Sequence, residues 1–233
     1  MKDSIVIIPA YNEEKNIYSL VKIIKDMGHK VAVIDDCSRD RTSELASAAG
    51  AVVIRHMVNM GYGVALQTGY KYALAFDYEN IVQLDADGQH DPSYITSLLT
   101  PIIKGEADLC IGSRFSGVGN YKPQFLRKVG IVFFRTILRI LTGRFIADPT
   151  SGFQAMNRKT FNYLSQDTFP DDYPDADIIY MLLRAGARIK EIPVAMNYNK
   201  ENSMHSKIFN NIYYLLKINL LLLAYCLKAI KKL

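Results

Sequence analysis

Short apolar runs alternate with amphipathic segments over residues 4–112 of the chain. The apolar runs are rich in β-branched residues and predict five strands, at residues 5–8, 31–34, 52–54, 81–84 and 109–111. The segments between them have helical periodicity, at roughly residues 13–27, 41–49, 63–76 and 93–104. Strands that alternate with helices form parallel β-α-β units, and uninterrupted apolar strands are typical of a sheet covered on both faces. The pattern predicts an α/β fold with a mostly parallel central sheet.

The regular alternation stops after residue 112. Further along the chain the pattern predicts a basic helix at 123–143, a turn-rich stretch at 148–153, an acidic loop at 171–177, a helix that ends near 185, a strand pair around 189–197 and a long terminal helix. We therefore expect one domain over residues 1–205, which includes an interfacial helical region at 123–146. An amphipathic helix at 206–233 follows it.

Polar side chains follow each of the five predicted strands, where ligands bind in sheets of this kind. The clearest signal is Asp85 and Asp87, two carboxylates on a backbone that turns at Gly88. Such oxygen ligands suit Mg²⁺ or Mn²⁺, which keep other positions for water and phosphate oxygens, and Gln89 could supply a third oxygen. An isolated D-x-D is more often a pair of solvated acids, and it is the neighbouring clusters that favour a metal site.

Asp35 and Asp36 end the second predicted strand, where an acid can accept hydrogen bonds from a ribose or a base. A dinucleotide-binding loop is disfavoured, because Gly61 and Gly63 follow the third strand and the third glycine of that motif is missing. No P-loop, nucleophile elbow or zinc-ligand pattern occurs in the sequence.

The chain resembles family 2 glycosyltransferases of the GT-A fold through six motifs in order, P-A-Y-N-E-E, D-D-C-S-R-D, N-M-G-Y-G-V-A-L-x-x-G, D-A-D-G-Q-H, G-S-R and D-P-T-S-G-F. Within that family it is similar to the dolichyl- and polyprenyl-phosphate sugar transferases. The resemblance covers about residues 4–200. It implies a GT-A nucleotide-sugar-binding fold and transfer of a sugar from a nucleotide donor, with inversion at the anomeric carbon.

The resemblance also implies roles for residues at matching positions. It implies that the residues which bind the nucleotide are Pro9, Tyr11, Glu13, Asp35, Asp36, Asn59 and Asp85. Metal binding falls to Asp85, Asp87 and Gln89, and catalysis to Asp177, Arg114 and Arg127. The stretch 197–205 departs from the family's Arg-Gly and Ser pattern, so we expect the acceptor to contact Lys200, Ser203 or His205 instead.

The acceptor decides what further chemistry is needed. A sugar hydroxyl needs a general base, for which Asp148, Asp175 or Asp177 could serve. A lipid phosphate is already anionic and needs only cations to place it, such as Arg114, Arg127 or Lys200. We expect transfer to a polyprenyl phosphate. The alternatives are transfer to a hydroxyl in surface polysaccharide synthesis, and a catalytically silent membrane-associated scaffold.

The charge distribution favours an anionic partner. The chain has 233 residues, 49% of them apolar, and a net charge of +5. Residues 121–147 and 202–233 carry six and five basic side chains and no acid, so the rest of the chain is acidic. Because bulky apolar side chains lie between these cations, with Arg135 and Arg139 on one stripe, a membrane surface is favoured over nucleic acid.

We therefore expect a peripheral enzyme on the inner face of the cytoplasmic membrane. The apolar run after Met1–Ser4 is too short for a secretory signal, which also favours the cytoplasm. For the terminal helix three placements are open: in the membrane interface, against an integral membrane partner, or over the domain's own core.

Overall fold

The structure of the chain is a computed structural model that describes residues 3–115, 125–166, 169 and 176–196, with side chains in the fifth helix described from residue 130 onward. Within these ranges the elements are β1 Ser4–Ala10, α1 Ile17–Asp26, β2 Lys30–Asp35, α2 Thr42–Ala48, β3 Val52–Arg55, α3 Tyr62–Ala75, β4 Asn80–Gln83, α4 Ile95–Ile103, β5 Leu109–Ser113, α5 Phe125–Thr142, β6 Gln154–Asn157, α6 Arg158–Leu164, α7 Ala176–Arg184 and β7 Ile189–Pro193.

The seven described strands form one sheet in the order β3-β2-β1-β4-β6-β5-β7. The pairs β1–β2, β2–β3, β1–β4 and β5–β7 are parallel, whereas β6 is antiparallel to both β4 and β5. This confirms the α/β fold with a mostly parallel sheet. Because β2 and β4 lie on opposite sides of β1, the strand order reverses beside β1. In open α/β sheets, ligands bind at such a reversal, beyond the carboxyl ends of the strands.

Two expectations about the second half of the chain are wrong. The predicted strand pair around 189–197 is a single edge strand, β7, followed by one isolated bridge between Met196 and His90. The stretch after residue 153 contains β6 and α6, which the pattern did not predict. Since β6 lies between β4 and β5, these two strands are not neighbours in the sheet.

Helices cover both faces of the sheet. Ile5 and Ile7 of β1 face a core formed with α3, α5, α6 and α7, whereas Val6 and Ile8 face a second core formed with α1, α2 and α4. At Gly69, α3 comes so close to β1 that an added Cβ would lie 2.3 Å from the Cγ2 atom of Ile7. This packing fixes the start of α3 above the carboxyl end of β1.

The helix α5 confirms the basic helix expected at 123–143 but buries one face in its own domain. Ile131, Phe134 and Leu138 are buried in the core, while Val132 and Ile140 are exposed. Arg135 does not share an exposed stripe with Arg139, because its Nε–H donates to the carbonyl of Ala147 (2.5 Å). None of the described helices is both long and apolar enough to cross a membrane. The expected terminal helix at 206–233 lies outside the described residues.

Candidate active site

The loops that follow β1 and β2 are joined by hydrogen bonds at the carboxyl edge of the sheet. The backbone N–H of Asn12 donates to Ser38 Oγ (2.9 Å), and that of Glu13 donates to Thr42 Oγ1 (2.8 Å). Of the predicted nucleotide contacts on this strand, Pro9 is buried within β1, Tyr11 is exposed and Glu13 is half-buried. Tyr11 and Glu13 therefore lie at the ligand edge, whereas Pro9 shapes the strand beneath them.

Asp35 and Asp36 are both buried, and protein donors already engage their carboxylates. Asp35 accepts from the N–H of Ser38 (3.0 Å) and from the Ser43 hydroxyl. Asp36 accepts from the backbone N–H groups of Met60 and Gly61 (2.8 Å each) and contacts His56 Nδ1 (2.8 Å). Asn59, the other predicted contact in this area, donates to the Asp36 carbonyl (3.2 Å). The Asp36 carboxylate thus anchors the loop between β3 and α3.

Asp85 lies just after β4 and is held by groups from two other parts of the site. The Tyr62 hydroxyl donates to Asp85 Oδ1 (2.7 Å), and His90 Nε2 lies 3.2 Å from Asp85 Oδ2. An added Cβ at Gly152 would lie 2.8 Å from Asp85 Oδ2, so the 148–153 loop approaches the carboxylate closely. Burial raises the pKa of Asp85. The hydrogen bonds from His90 and Tyr62 and the charge of Arg114 lower it by more than burial raises it, so the pKa of Asp85 lies below its usual value and the carboxylate form is favoured.

Asp87 and Gln89 form a local pair on the same turn. The Gln89 backbone N–H donates to Asp87 Oδ1 (3.0 Å), and the Gln89 side-chain amide donates to Asp87 Oδ2 (2.6 Å). In the structure the amide nitrogen of Gln89 therefore orients Asp87. The amide oxygen of Gln89 is the atom that would bind a metal ion.

The acidic turn after β4 raises the pKa of Glu13, which lies beyond β1. Burial raises the pKa of Glu13, a hydrogen bond from Asn16 partly offsets the rise, and the negative charges of Asp87, Asp40 and Asp85 raise the pKa further. The carboxyl ends of β1 and β4 thus share one field of negative charge. No group of three or more His, Cys, Asp or Glu side chains placed to hold a metal ion occurs among the described residues. Two carboxylates still fit Mg²⁺ or Mn²⁺, because such a cation keeps several positions for water and phosphate oxygens.

Arg114 forms a buried, two-pronged ion pair with Asp148. Its Nε–H donates to Asp148 Oδ2 (2.7 Å) and its Nη2–H to Asp148 Oδ1 (2.6 Å), and Nη2 also reaches Thr150 Oγ1 (2.8 Å). The side chains are 3% and 0% exposed. The expectation that Asp148 could serve as a general base is therefore wrong, because its carboxylate is fully buried against a guanidinium. The positive charge of Arg114 is likewise balanced inside the protein.

The remaining predicted residues are placed only in part. Asp177 is half-buried in the first turn of α7, where its Oδ1 accepts from the N–H of Ile178 (2.9 Å). Arg127 lies in α5, with its side chain outside the described residues, as are Asp175, Lys200, Ser203 and His205. The structure therefore brings the β1, β2 and β4 carboxylates to one edge and leaves the acceptor side as an expectation.

Tyr62 and Gly152 are contacts of Asp85 to which sequence reasoning gave no role. Tyr62 lies between the glycines of the N-M-G-Y-G motif, and Gly152 lies in the D-P-T-S-G-F motif. His90 ends the D-A-D-G-Q-H motif. Their positions within motifs were the available signal, but only the folded chain shows that all three meet at one carboxylate.

The sheet topology and the carboxylates beyond its strand ends define an α/β protein with a candidate ligand site at the carboxyl ends of the strands. Sequence comparison then gives the family: the model of glycosyl transferase family 2 matches residues 5–164, and the chain belongs to that family. It is a glycosyltransferase, which leaves the silent-scaffold alternative without support.

Several relatives match over most of their length. The chain is 28% identical to the UDP-N-acetylglucosamine–dolichyl-phosphate N-acetylglucosaminyltransferase of Methanococcus voltae, over 86% of this chain and 88% of the relative. It is 29% identical to the polyprenol monophosphomannose synthase of Mycolicibacterium smegmatis, over 82% and 76%. These names bear out the resemblance to polyprenyl-phosphate sugar transferases.

A solved structure has the same fold. Glucosyl-3-phosphoglycerate synthase from Mycobacterium tuberculosis, crystallised with Mn²⁺, UDP and glucosyl-3-phosphoglycerate, superposes with a TM-score of 0.67 at 22% identity, over 85% of this chain and 72% of that one. This similarity confirms the GT-A type of α/β fold.

Proposed function

We propose that the enzyme transfers a sugar from a UDP- or GDP-linked donor to a polyprenyl phosphate, with inversion at the anomeric carbon. The observation that carries the proposal is the similarity, over more than four-fifths of the chain, to two enzymes whose names specify dolichyl phosphate or a polyprenol monophosphate. The arrangement of charged groups at the carboxyl edge of the sheet supports the same chemistry.

The nucleoside is proposed to bind across the ends of β1 and β2. Tyr11 offers an exposed ring, and Glu13 offers a half-buried carboxyl group. Asp35, Asp36 and Asn59 are proposed to form the floor of this area, where the buried carboxylates of Asp35 and Asp36 act by holding the surrounding loops in place. Pro9 contributes through the shape of β1.

The donor diphosphate is proposed to bind near Asp85, Asp87 and Gln89 together with Mg²⁺ or Mn²⁺. A divalent cation at these carboxylates would neutralise the charge that builds on the departing diphosphate. The carboxylates need no proton transfer for this, and the hydrogen bonds from His90 and Tyr62 lower the pKa of Asp85 against the effect of burial, which favours its ionised form. Tyr62 and His90 hold Asp85 from two sides.

The acceptor phosphate needs cations, and those of Arg127 and Lys200 are proposed to supply them together with Ser203 or His205. Arg114 is proposed to act near the phosphates as a guanidinium fixed by Asp148, so its effect is that of a rigid dipole donor more than of a net charge. Asp177 is proposed to face the sugar from the start of α7.

The exposed side of α5 and the two residues Arg144 and Phe145 shortly after it are proposed to contact the inner face of the membrane. Ile140 and Phe145 are exposed large apolar side chains, and Arg139 and Arg144 are exposed cations beside them. Apolar groups interspersed with cations are typical of surfaces that bind anionic lipid. The peripheral location places the enzyme where a polyprenyl phosphate is available.

The test uses the full chain in detergent, a panel of radiolabelled UDP- and GDP-sugars, MgCl₂ or MnCl₂, and polyprenyl phosphate. We expect a chloroform-extractable product that needs both lipid and metal. Asp87→Asn should abolish most of it, whereas Glu106→Gln, an exposed pair partner of Lys190, should not. Label that enters only water-soluble glycan would contradict the lipid acceptor, and full activity in EDTA would contradict the metal.

Asp177→Asn distinguishes the lipid acceptor from a hydroxyl acceptor. A hydroxyl needs a general base, and the burial of Asp148 against Arg114 removes one of the candidates. If Asp177 only contacts the sugar, its variant should retain measurable turnover. Loss of nearly all turnover, with unchanged donor binding, would favour a base and therefore a hydroxyl acceptor.

A further inference from the structure

The Asp85 carboxylate, just after β4, is held by two side chains from different parts of the chain. Its Oδ1 accepts from Tyr62 (2.7 Å), and its Oδ2 faces His90 Nε2 (3.2 Å). The backbone at Gly152 closes the third side, because a Cβ there would lie 2.8 Å from Oδ2 and 3.2 Å from the Tyr62 hydroxyl oxygen. Groups from α3, from the turn after β4 and from the 148–153 loop thus converge on one side chain.

His90 directs one ring nitrogen at Asp85, and its other ring nitrogen adds nothing to the stability of the fold. Its side chain is 2% exposed and packs against the Phe153 ring at 5.1 Å. Because a carboxylate only accepts hydrogen bonds, Nε2 carries the proton that points at Asp85. The other ring nitrogen, Nδ1, is buried and has no hydrogen-bond partner among the described residues, and an unpaired buried nitrogen costs folding free energy. An apolar side chain would avoid that cost, so what His90 adds is the N–H aimed at Asp85.

Tyr62 connects Asp85 to the other end of the crevice. It is the first residue of α3, and the two residues before it, Met60 and Gly61, donate their backbone N–H groups to Asp36. Three consecutive residues therefore hold a carboxylate at the end of β2 and another beyond β4. Since α3 packs closely on β1 at Gly69, this segment has little room to shift.

We propose that Tyr62 and His90 are positioning residues that fix the Asp85 carboxylate for the divalent cation and the donor diphosphate. The inference rests on the proposed metal site. Neither side chain reaches the reacting atoms in this account; each acts through Asp85. Outer groups that orient a metal ligand typically change metal affinity by about 10- to 100-fold when they are removed.

The experiment measures Mn²⁺ affinity of the full chain by electron paramagnetic resonance, with saturating UDP or GDP and without nucleotide. We expect Tyr62→Phe to raise the dissociation constant of Mn²⁺ about tenfold, within the range usual for such groups. The matched control is Tyr70→Phe on the same helix, because the Tyr70 hydroxyl donates to Gln83 inside the core. That control should lower the melting temperature and leave Mn²⁺ affinity unchanged.

A second pair of variants tests His90 separately. His90→Leu should weaken Mn²⁺ binding about tenfold, as expected for an outer group, with a melting temperature equal to or above that of the wild type. His90→Gln, whose amide nitrogen can occupy the place of Nε2, should restore most of the affinity. A purely structural histidine would give the opposite result, with a lower melting temperature and unchanged Mn²⁺ binding.

The outcomes separate this inference from the proposed function. Wild-type protein that binds no Mn²⁺ with either nucleotide overturns the metal site and the positioning role with it. Wild-type binding that Tyr62→Phe and His90→Leu leave unchanged overturns the positioning role alone. If one of these variants does not fold, as judged by circular dichroism, the other decides the question.

Discussion

Two arginine–aspartate pairs lie at the two ends of β5, one beyond its carboxyl end and one before its amino end. Both pair a guanidinium with a carboxylate, but their exposure to solvent differs. At the carboxyl edge, Arg114 and Asp148 are 3% and 0% exposed. At the amino edge, Arg188 and Asp108 are 57% and 14% exposed, and the Arg188 guanidinium donates to both oxygens of Asp108 (3.1 and 3.0 Å). The first pair is therefore buried beside the candidate site, and the second joins two segments at the protein surface.

The comparison shows that the features which cost folding free energy lie at the carboxyl ends of the strands. Burying a charged pair has a desolvation penalty that the attraction between the charges barely offsets, so it is weak evidence of stabilisation. An exposed pair has little penalty and a small gain. The active-site edge combines the buried pair with the orphan nitrogen of His90 and the crowding at Gly152. The amino edge has a depressed Asp108 pKa and a well-satisfied hydrogen-bond network.

The largest expected effect is that of breaking the buried pair. Asp148→Asn leaves the Arg114 charge buried without its counter-ion, which should lower the free energy of unfolding by about 3–5 kcal/mol. Urea denaturation measures the change. The double variant Arg114→Met with Asp148→Leu should lose much less stability, because it removes both charges. Equal losses in the single and double variants would contradict this account of the pair.

The next effect concerns the crowding at the carboxyl edge. In Gly152→Ala the new methyl group collides with Asp85, and over-packing of this kind costs about 1–3 kcal/mol. The variant should also bind Mn²⁺ more weakly. Gly130→Ala is the matched control, because no atom of the described residues lies within 4 Å of its added Cβ. Because Gly130 is inside α5, the control should gain up to about 1 kcal/mol. A Gly152→Ala variant with the stability and Mn²⁺ affinity of the wild type would contradict this, because it would mean that the 148–153 loop can move away from Asp85.

A smaller effect with a distinctive pH dependence is expected at the amino edge. Hydrogen bonds from Arg188, reinforced by Asn157 and offset in part by burial, lower the pKa of Asp108 to about 2. A depressed carboxyl pKa adds stability that is fully present above the unfolded-state value of about 4 and lost as pH falls towards about 2. Asp108→Asn should therefore cost about 1–2 kcal/mol at pH 7.

The stability difference between wild type and Asp108→Asn should shrink as the pH falls from about 4 to about 2, since both chains then carry an uncharged group. Denaturation curves recorded at several pH values measure it. A difference that stays constant down to pH 2 would mean that Asp108 acts only through its shape.

The smallest effect is expected from Arg188→Gln, because more than half of the Arg188 side chain is exposed to solvent. Water screens the charge, and the glutamine amide can still donate one hydrogen bond to Asp108. Denaturation in low and high salt measures the change, which should decrease with salt. A loss as large as that of Asp148→Asn would remove the distinction between the two pairs.

Much of the first half of the molecule could be predicted because its signals are local. The strands β1, β2, β3, β4 and β5 are continuous apolar runs, and each helix between them has its own periodicity. Asp91 caps the turn before α4 through a local contact as well, since its side chain accepts from the N–H of Ser93 (2.9 Å). The acids after β4 could be singled out because a polar cluster beyond a buried strand is unusual.

The second half could not be predicted as well because its strands depend on distant partners. The strand β6 has only four residues, Gln-Ala-Met-Asn, without the β-branched residues that mark the other strands. It is a strand because β4 and β5 lie on either side of it and satisfy its backbone groups. The wrong strand pair at 189–197 has a similar cause: β7 pairs with β5, and among the described residues no further strand pairs with β7.

The sequence by itself determined the class of the fold, the family and the acids at the strand ends, because apolar periodicity and ordered motifs are properties of neighbouring residues. Only the tertiary structure decided which acids are engaged by the protein and by what. Asp148 lies 34 positions from Arg114, and Tyr62 lies 23 positions from Asp85. Contacts of this kind arise when helices pack on the two faces of the sheet and form its two cores, and no local pattern records them.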